Sequence, residues 1–285
     1  MNLYFMLALQ TPATPNPVLV QTFEILRQRG FDIELGIGEE LLLQLDRLAV
    51  THDLYVLKSH TALWLSLAEI VHAHGGRLLN PFPACLAAQN KIVAVERMRA
   101  AGIPVPRSWV TGDPDLLRSI VEERPVIMKP YAGGRGLGIL VVHSPHELAK
   151  APRPREPVLI QEYVRHEQEL KVYVIGEEVF AMRTRGPSRD APRWACPISR
   201  DVREIALRCG RLFDLRLYGL DILESADGPL VVDLNYFPSY RDVPQAAVRI
   251  ADFIDAYARG PAAARVPVRL RRIARAAGAA PQQGG

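Results

Sequence analysis

The apolar positions of this 285-residue chain recur at two spacings, and the switch between them lays out its elements. Residues 3–9 predict a buried strand, 18–29 an amphipathic helix stopped by Gly30 at the left-handed cap position, and 31–35 a second strand. A short apolar run at 53–58 reads as a third strand, and a helix over 61–74 ends at Gly75-Gly76. Strands alternating with helices in this way imply an α/β lobe on a parallel sheet. A helix is expected over 86–101, capped by Gly102. Asp113-Pro114 then starts another, with Asp as N-cap and Pro at the first helical position. Beyond it the pattern turns to strands, at 126–129, 139–142, 158–164, 172–175 and 179–183. A helix opened by Ser199-Arg200-Asp201, a hairpin of 219–223 with 230–234, and a helix over 244–258 follow.

Composition narrows the class. With 48% apolar residues the chain can bury a sizeable core, which excludes global disorder. Cys85, Cys196 and Cys209 have no metal-binding or redox spacing and read as small hydrophobes in a reducing compartment, so the cytoplasm is expected. The apolar N-terminus runs about nine residues, far short of the roughly 20 that span a bilayer, and lacks a basic leader, so no membrane is expected. Net charge is +4, but six arginines and no acid follow Asp255. Residues 259–285 therefore read as a basic, disordered tail; nucleic acid is not expected as a partner, and a homo-oligomer is left open.

Two stretches carry chemistry. Val126-Ile127-Met128-Lys129-Pro130 is an apolar strand that delivers one ammonium, and Gly133, Gly134, Gly136 and Gly138 follow it. Backbone amides of such a loop can approach phosphate oxygens because no Cβ intervenes, although a tight hairpin would need glycine too. The second is Tyr218-Gly219-Leu220-Asp221 with Val232-Asp233-Leu234-Asn235, a hairpin with acids on apolar strands. Asp233 and Asn235 are two apart and share a strand face, and an Asp/Asp/Asn oxygen set suits Mg²⁺. The alternative is hydrogen-bonded turn residues. Arg183 and Arg185 also share a face, either as solvated partners of Glu177 or Glu178 or with Arg183 neutralising a transferred phosphoryl group.

The order Lys129, glycine loop, Gln161-Glu162-Tyr163-Val164, Asp221, then Asp233-x-Asn235 resembles the ATP-grasp superfamily over roughly residues 80–258. The resemblance implies an N-terminal parallel-sheet lobe (1–85) followed by two α+β lobes (86–162 and 163–258) that clasp ATP. It implies that Lys91 and Lys129 contact phosphates and that 133–138 fold over them. It further implies that Gln161, Glu162, Tyr163 and Val164 form the adenine hinge, that Glu169 meets the ribose, and that Asp221, Asp233 and Asn235 hold Mg²⁺ (or Mn²⁺). The glycine loop, the hinge and 202–223 are similar to RimK-like glutamate ligases, which implies ligation of a small-molecule or peptide carboxylate to an amine through an acyl phosphate. Asp233-Leu234-Asn235-Tyr236-Phe237-Pro238-Ser239-Tyr240 and the run from Gln161 through His166 and Lys171 are similar to inositol tris/tetrakisphosphate kinases. That likeness implies His166, Lys171, Arg185, Ser239 and Tyr240 at the substrate, with phosphorylation of an inositol phosphate or related polyol as the second reading. A non-enzymatic ATP-binding protein is the third. The ligases' Asn-containing acceptor loop is not matched, since 186–197 is short.

Overall fold

The computed structural model describes residues 1–9, 16–131, 138–154, 156–165, 168–184 and 193–260. Strands β1 (Asn2–Leu7), β2 (Asp32–Ile37), β3 (Leu54–Leu57) and β4 (Leu78–Leu79) form a parallel sheet of order β2-β1-β3-β4. Helices α1 (Pro17–Gln28) and α2 (Ala62–Ala73) start where the side chains of Asn16 and Thr61 accept from first-turn amides.

The helix expected over 86–101 is in fact two, α3 (Phe82–Gln89) and α4 (Lys91–Ala100). Asn90 makes the break. Its backbone is extended, and its Oδ1 accepts from the amides of Ile92 and Val93 at 3.1 and 3.2 Å. An asparagine that satisfies two orphan amides offsets the helical bonds lost across the break. Lys91 thereby becomes the first residue of a helix, and its N–H donates to the Tyr131 carbonyl at 2.8 Å.

A second, antiparallel sheet has the order β5-β8-β6-β7, from β5 (Ser108–Thr111), β6 (Val126–Pro130), β7 (Leu140–Val142) and β8 (Val158–Glu162). Helices α5 (Arg118–Glu123) and α6 (Pro145–Lys150) cover it, and Asp113 caps the single 3-10 turn Pro114–Leu117 that leads into α5. This layer has its own core, with Val121, Met128, Leu148 and Ile160 among its buried residues.

The third sheet, also antiparallel, has the order β11-β10-β9-β12-β13. Its strands are β9 (Gln168–Ile175), β10 (Glu178–Thr184), β11 (Arg193–Cys196), β12 (Leu217–Ser225) and β13 (Gly228–Tyr236); α7 (Arg200–Phe213) and α8 (Ala246–Arg259) pack with them. This sheet and the parallel sheet share one core. Tyr236 Oη donates to the Ser59 carbonyl at 2.7 Å, and Asn80 Nδ2 donates to the Leu217 carbonyl at 2.8 Å. Tyr218 Oη donates to the Ala206 carbonyl of α7, so the face carrying Tyr218, Leu220 and Ile222 lies on that helix. Gly219 and Asp221 occupy the other face. No helix among the described residues is long and apolar enough to cross a membrane.

Candidate active site

Register decides what the face away from α7 carries. Across β9, β12 and β13 one row is Tyr173, Gly219 and Asn235, and the next is Lys171, Asp221 and Asp233. Between that second row and the hairpin end, β13 carries an extra residue. Asp221 faces Asp233 while Ile222 faces Val231, which leaves Val232 in a bulge. The Val232 carbonyl accepts from Lys129 Nζ at 3.0 Å, so the bulge is where the second sheet's lysine meets the third sheet.

Lys129, at the end of β6, also donates to Gln161 Oε1 at 2.7 Å and is only 7% exposed. Burial pulls its pKa down, opposed by the charge of Asp233. Lys91 Nζ lies 2.6 Å from Asp233 Oδ1, and Asn235 Nδ2 donates to Asp233 Oδ2 at 3.2 Å. Burial pushes the Asp233 carboxyl up, but Lys91, Lys129 and Asn235 together outweigh it and hold the group below its ordinary range. Lys171 Nζ lies 2.6 Å from Asp221 Oδ1, yet that buried oxygen accepts no well-directed hydrogen bond.

The Lys171 ammonium offsets the burial of this oxygen, and without a directed bond its lone pairs are left for a second cation. Among the described residues no three acidic, histidine or cysteine groups cluster as a metal site. Two carboxylates and one amide instead fit a hard divalent ion that keeps water and phosphate oxygens, as Mg²⁺ does.

The remaining expected residues divide. Glu169 lies on the same face, one row beyond Lys171, and Tyr163 is exposed. Gly138, at φ +74°, returns the chain to β7; a Cβ there would lie 2.9 Å from the Pro130 ring. Glu162 Oε1 accepts from the Arg107 amide at 3.0 Å, and Val164 lies two residues beyond the end of β8. Gly133, Gly134, Gly136, His166 and Arg185 lie outside the described residues, as does 261–285 of the expected tail.

Three expectations are corrected. The Gln161 side chain is buried between Lys129 and Ser108 Oγ, so its amide is committed within the protein and is not exposed to a nucleotide. Tyr240 has 0% exposure and its hydroxyl donates to the Val174 carbonyl at 2.8 Å; it is a core residue and not a substrate contact. Its neighbour Ser239 offers its carbonyl to Asn16 Nδ2 at 3.0 Å. Arg183 pairs in register with Leu170, on the α7 face, and reaches Glu224 at 3.1 Å. Its guanidinium is thus on the opposite side of the sheet from Asp221.

Two residues escaped the sequence reading. Arg193 lies on β11, a strand not anticipated; a Gly/Pro/Ser-containing stretch followed by Arg-Trp-Ala-Cys was the available hairpin signal. His60 follows β3, where open parallel sheets commonly carry ligand-facing groups. Its ring stacks on Tyr236 at 3.9 Å and its Nδ1 lies 3.0 Å from Gln89 Oε1. Burial, helped by Lys58, lowers its pKa to about 4, so the ring is neutral near pH 7.

The family model described as a RimK-like ATP-grasp domain matches residues 88–254. A β-citrylglutamate synthase B of Danio rerio is 27% identical over 177 residues, covering 55% of this chain and 44% of that protein. A probable α-L-glutamate ligase of Shewanella loihica is 23% identical over 186 residues, covering 59% of this chain and 62% of the relative. The chain thus spans about half to three fifths of the length of these curated relatives. Among solved structures, a RimK domain ATP-grasp protein of Sphaerobacter thermophilus superposes with a TM-score of 0.73 at 20% identity, over 88% of this chain and 98% of that one. The ATP-grasp ligase PsnB, solved with a minimal precursor, Mg and ADP, gives 0.66 at 22% identity, over 90% and 97%. The architecture is that of the ATP-grasp fold.

Proposed function

The chain belongs to the RimK-like ATP-grasp family, and from that premise we propose that it is a Mg-ATP-dependent ligase joining a carboxylate to an amine and releasing ADP and phosphate. One observation carries the reading: Lys91 reaches Asp233, and Lys129, from a separately packed sheet, bonds the carbonyl of the preceding residue. Cations from two bodies thus converge on a paired-carboxylate face, as a polyphosphate and its metal require.

In this reading Lys91 and Lys129 take phosphate oxygens of ATP, while Asp221, Asp233 and Asn235 hold Mg²⁺ (or Mn²⁺). When bound, the ion neutralises phosphate charge. The substrate carboxylate attacks the γ-phosphorus and the bond to the bridging oxygen of ADP breaks, giving an acyl phosphate. The amine nitrogen then bonds to the acyl carbon, phosphate leaves, and the nitrogen's surplus proton passes to solvent. The protein contributes position and fixed charge; Lys129, held by two acceptors, needs little reorganisation. The stretch 162–164 supplies the adenine hinge, Glu169 meets the ribose, and the glycine loop ending at Gly138 covers the phosphates. That PsnB was solved with Mg and ADP supports the cofactors. An ATP-consuming reaction and three free thiols fit the cytoplasm.

Hydroxylamine tests the reading, because it intercepts acyl phosphates as hydroxamates and leaves phosphate esters alone. Purified protein with Mg-ATP should form hydroxamate from at least one member of a panel of amino-acid and peptide carboxylates. A phosphorylated polyol without hydroxamate would sink the ligase.

A further inference from the structure

Lys129 meets the third sheet at the Val232 carbonyl, but what it meets on its own sheet is decided two strands away. Ser108 of β5, Gln161 of β8 and Ile127 of β6 stand in one row across the second sheet, and Lys129 follows Ile127 two residues on, on the same face. Gln161 is 1% exposed, and both ends of its amide are engaged. Its Oε1 accepts from Lys129 Nζ at 2.7 Å, and its Nε2 donates to Ser108 Oγ at 3.2 Å. Ser108 Oγ in turn donates to the Pro106 carbonyl at 2.8 Å.

This chain of bonds has a polarity. A hydroxyl carries one proton, and that of Ser108 is committed to Pro106, so only lone pairs face Gln161. The amide must then turn its NH2 to Ser108 and its oxygen to Lys129. The opposite orientation would set the NH2 against an ammonium, donor against donor, where burial makes an unmade bond costly. Among the described residues Lys129 thus commits two of its three N–H donors, one to β8 and one to β13, and the third remains for a phosphate oxygen.

We propose that Ser108 is a positioning residue for the nucleotide phosphates, acting through the Gln161 amide on the ammonium of Lys129. Its hydroxyl selects the end of the amide that the lysine meets. The Gln161 oxygen and the Val232 carbonyl then fix the ammonium from two sheets, so its remaining proton has one direction before any ligand arrives. Without the hydroxyl either end of the amide can face Lys129, and only one of them holds it. The proposal rests on the reading of Lys129 as a phosphate contact.

Isothermal titration calorimetry with Mg-ADP tests it in a double-mutant cycle, with melting temperatures measured alongside. Gln161→Met removes the acceptor and should weaken Mg-ADP binding about tenfold or more, and Ser108→Ala removes only its orientation and should weaken binding about threefold or more. A residue that acts solely through another has nothing to act on once that other is gone. The double variant should therefore bind Mg-ADP within about twofold of Gln161→Met alone. Losses that multiply in the double variant would overturn the proposal. A lowered melting temperature with unchanged Mg-ADP affinity in both single variants would do the same, since it marks a merely structural network. Wild-type protein that binds no Mg-ADP is a distinct result, and it would overturn the ATP reading itself.

Discussion

Replacing Tyr240 by Phe separates a core role from a substrate role at a residue where the sequence pointed to the second. The ring is fully buried, so Phe keeps the packing and creates no sizeable cavity. What goes is a hydroxyl that donates to the Val174 carbonyl at 2.8 Å and lies 3.4 Å from that of Tyr218. Losing a buried hydrogen bond and stranding its acceptor costs about 1–2 kcal/mol. For a domain of this size that is a fall of roughly 2–8 °C in melting temperature. Urea denaturation read by tryptophan fluorescence should give a lower midpoint at unchanged slope, while the KM for every substrate stays within about twofold. An unchanged midpoint with a tenfold rise in KM for one substrate would refute the assignment and return Tyr240 to the active site.

Asp233→Ala should lower kcat/KM by more than about tenfold, a loss above ~1.4 kcal/mol, with the fold retained by circular dichroism. Arg183→Ala should change kcat/KM by less than about threefold, since its half-exposed pair with Glu224 is on the far side of the sheet; a hundredfold loss would place its guanidinium at the transferred group. His60 takes up its proton only near pH 4 in the fold but near 6.5 when unfolded, so its contribution is complete above about pH 6.5 and fades as pH falls toward 4. Wild-type stability should therefore drop by about 2 kcal/mol more than that of His60→Gln between pH 7 and pH 5, and parallel curves would contradict the buried neutral ring.

The parts of this protein governed by local rules were readable. Gly30, Thr61, Asp113 and Ser199 announced element ends because cap chemistry acts within a turn. Asp233 and Asn235 could be placed on one face because strand alternation is equally local. Asn90 was misread because apolar residues continue on both sides of it, and only its capping bonds reveal the interruption. Arg183 falls on the face against α7, and Arg193 went unnoticed on the other, for a non-local reason. Which face of β10 meets α7 is set by packing between distant segments, and β11 joins the sheet across residues that carry little apolar pattern. Gln161 has the same lesson: its position was legible, but its partner, Lys129, is across the sheet.

The bulge at Val232 has a consequence for how β13 tolerates change. Val231 and Asp233 are both odd-numbered, yet Val231 faces Ile222 in the layer against α7 while Asp233 faces Asp221 on the open side. The extra residue acts as a phase inverter: one strand runs in two opposite phases joined at a single position. Deleting Val232 would therefore do more than shorten the hairpin by a residue. Val231 would then adjoin Asp233, and simple alternation would still set them opposite Ile222 and Asp221, but the bulge would be gone and with it the carbonyl that accepts from Lys129. Substitution at this position can be lenient, because the Lys129 contact uses only the backbone carbonyl. A change in length cannot.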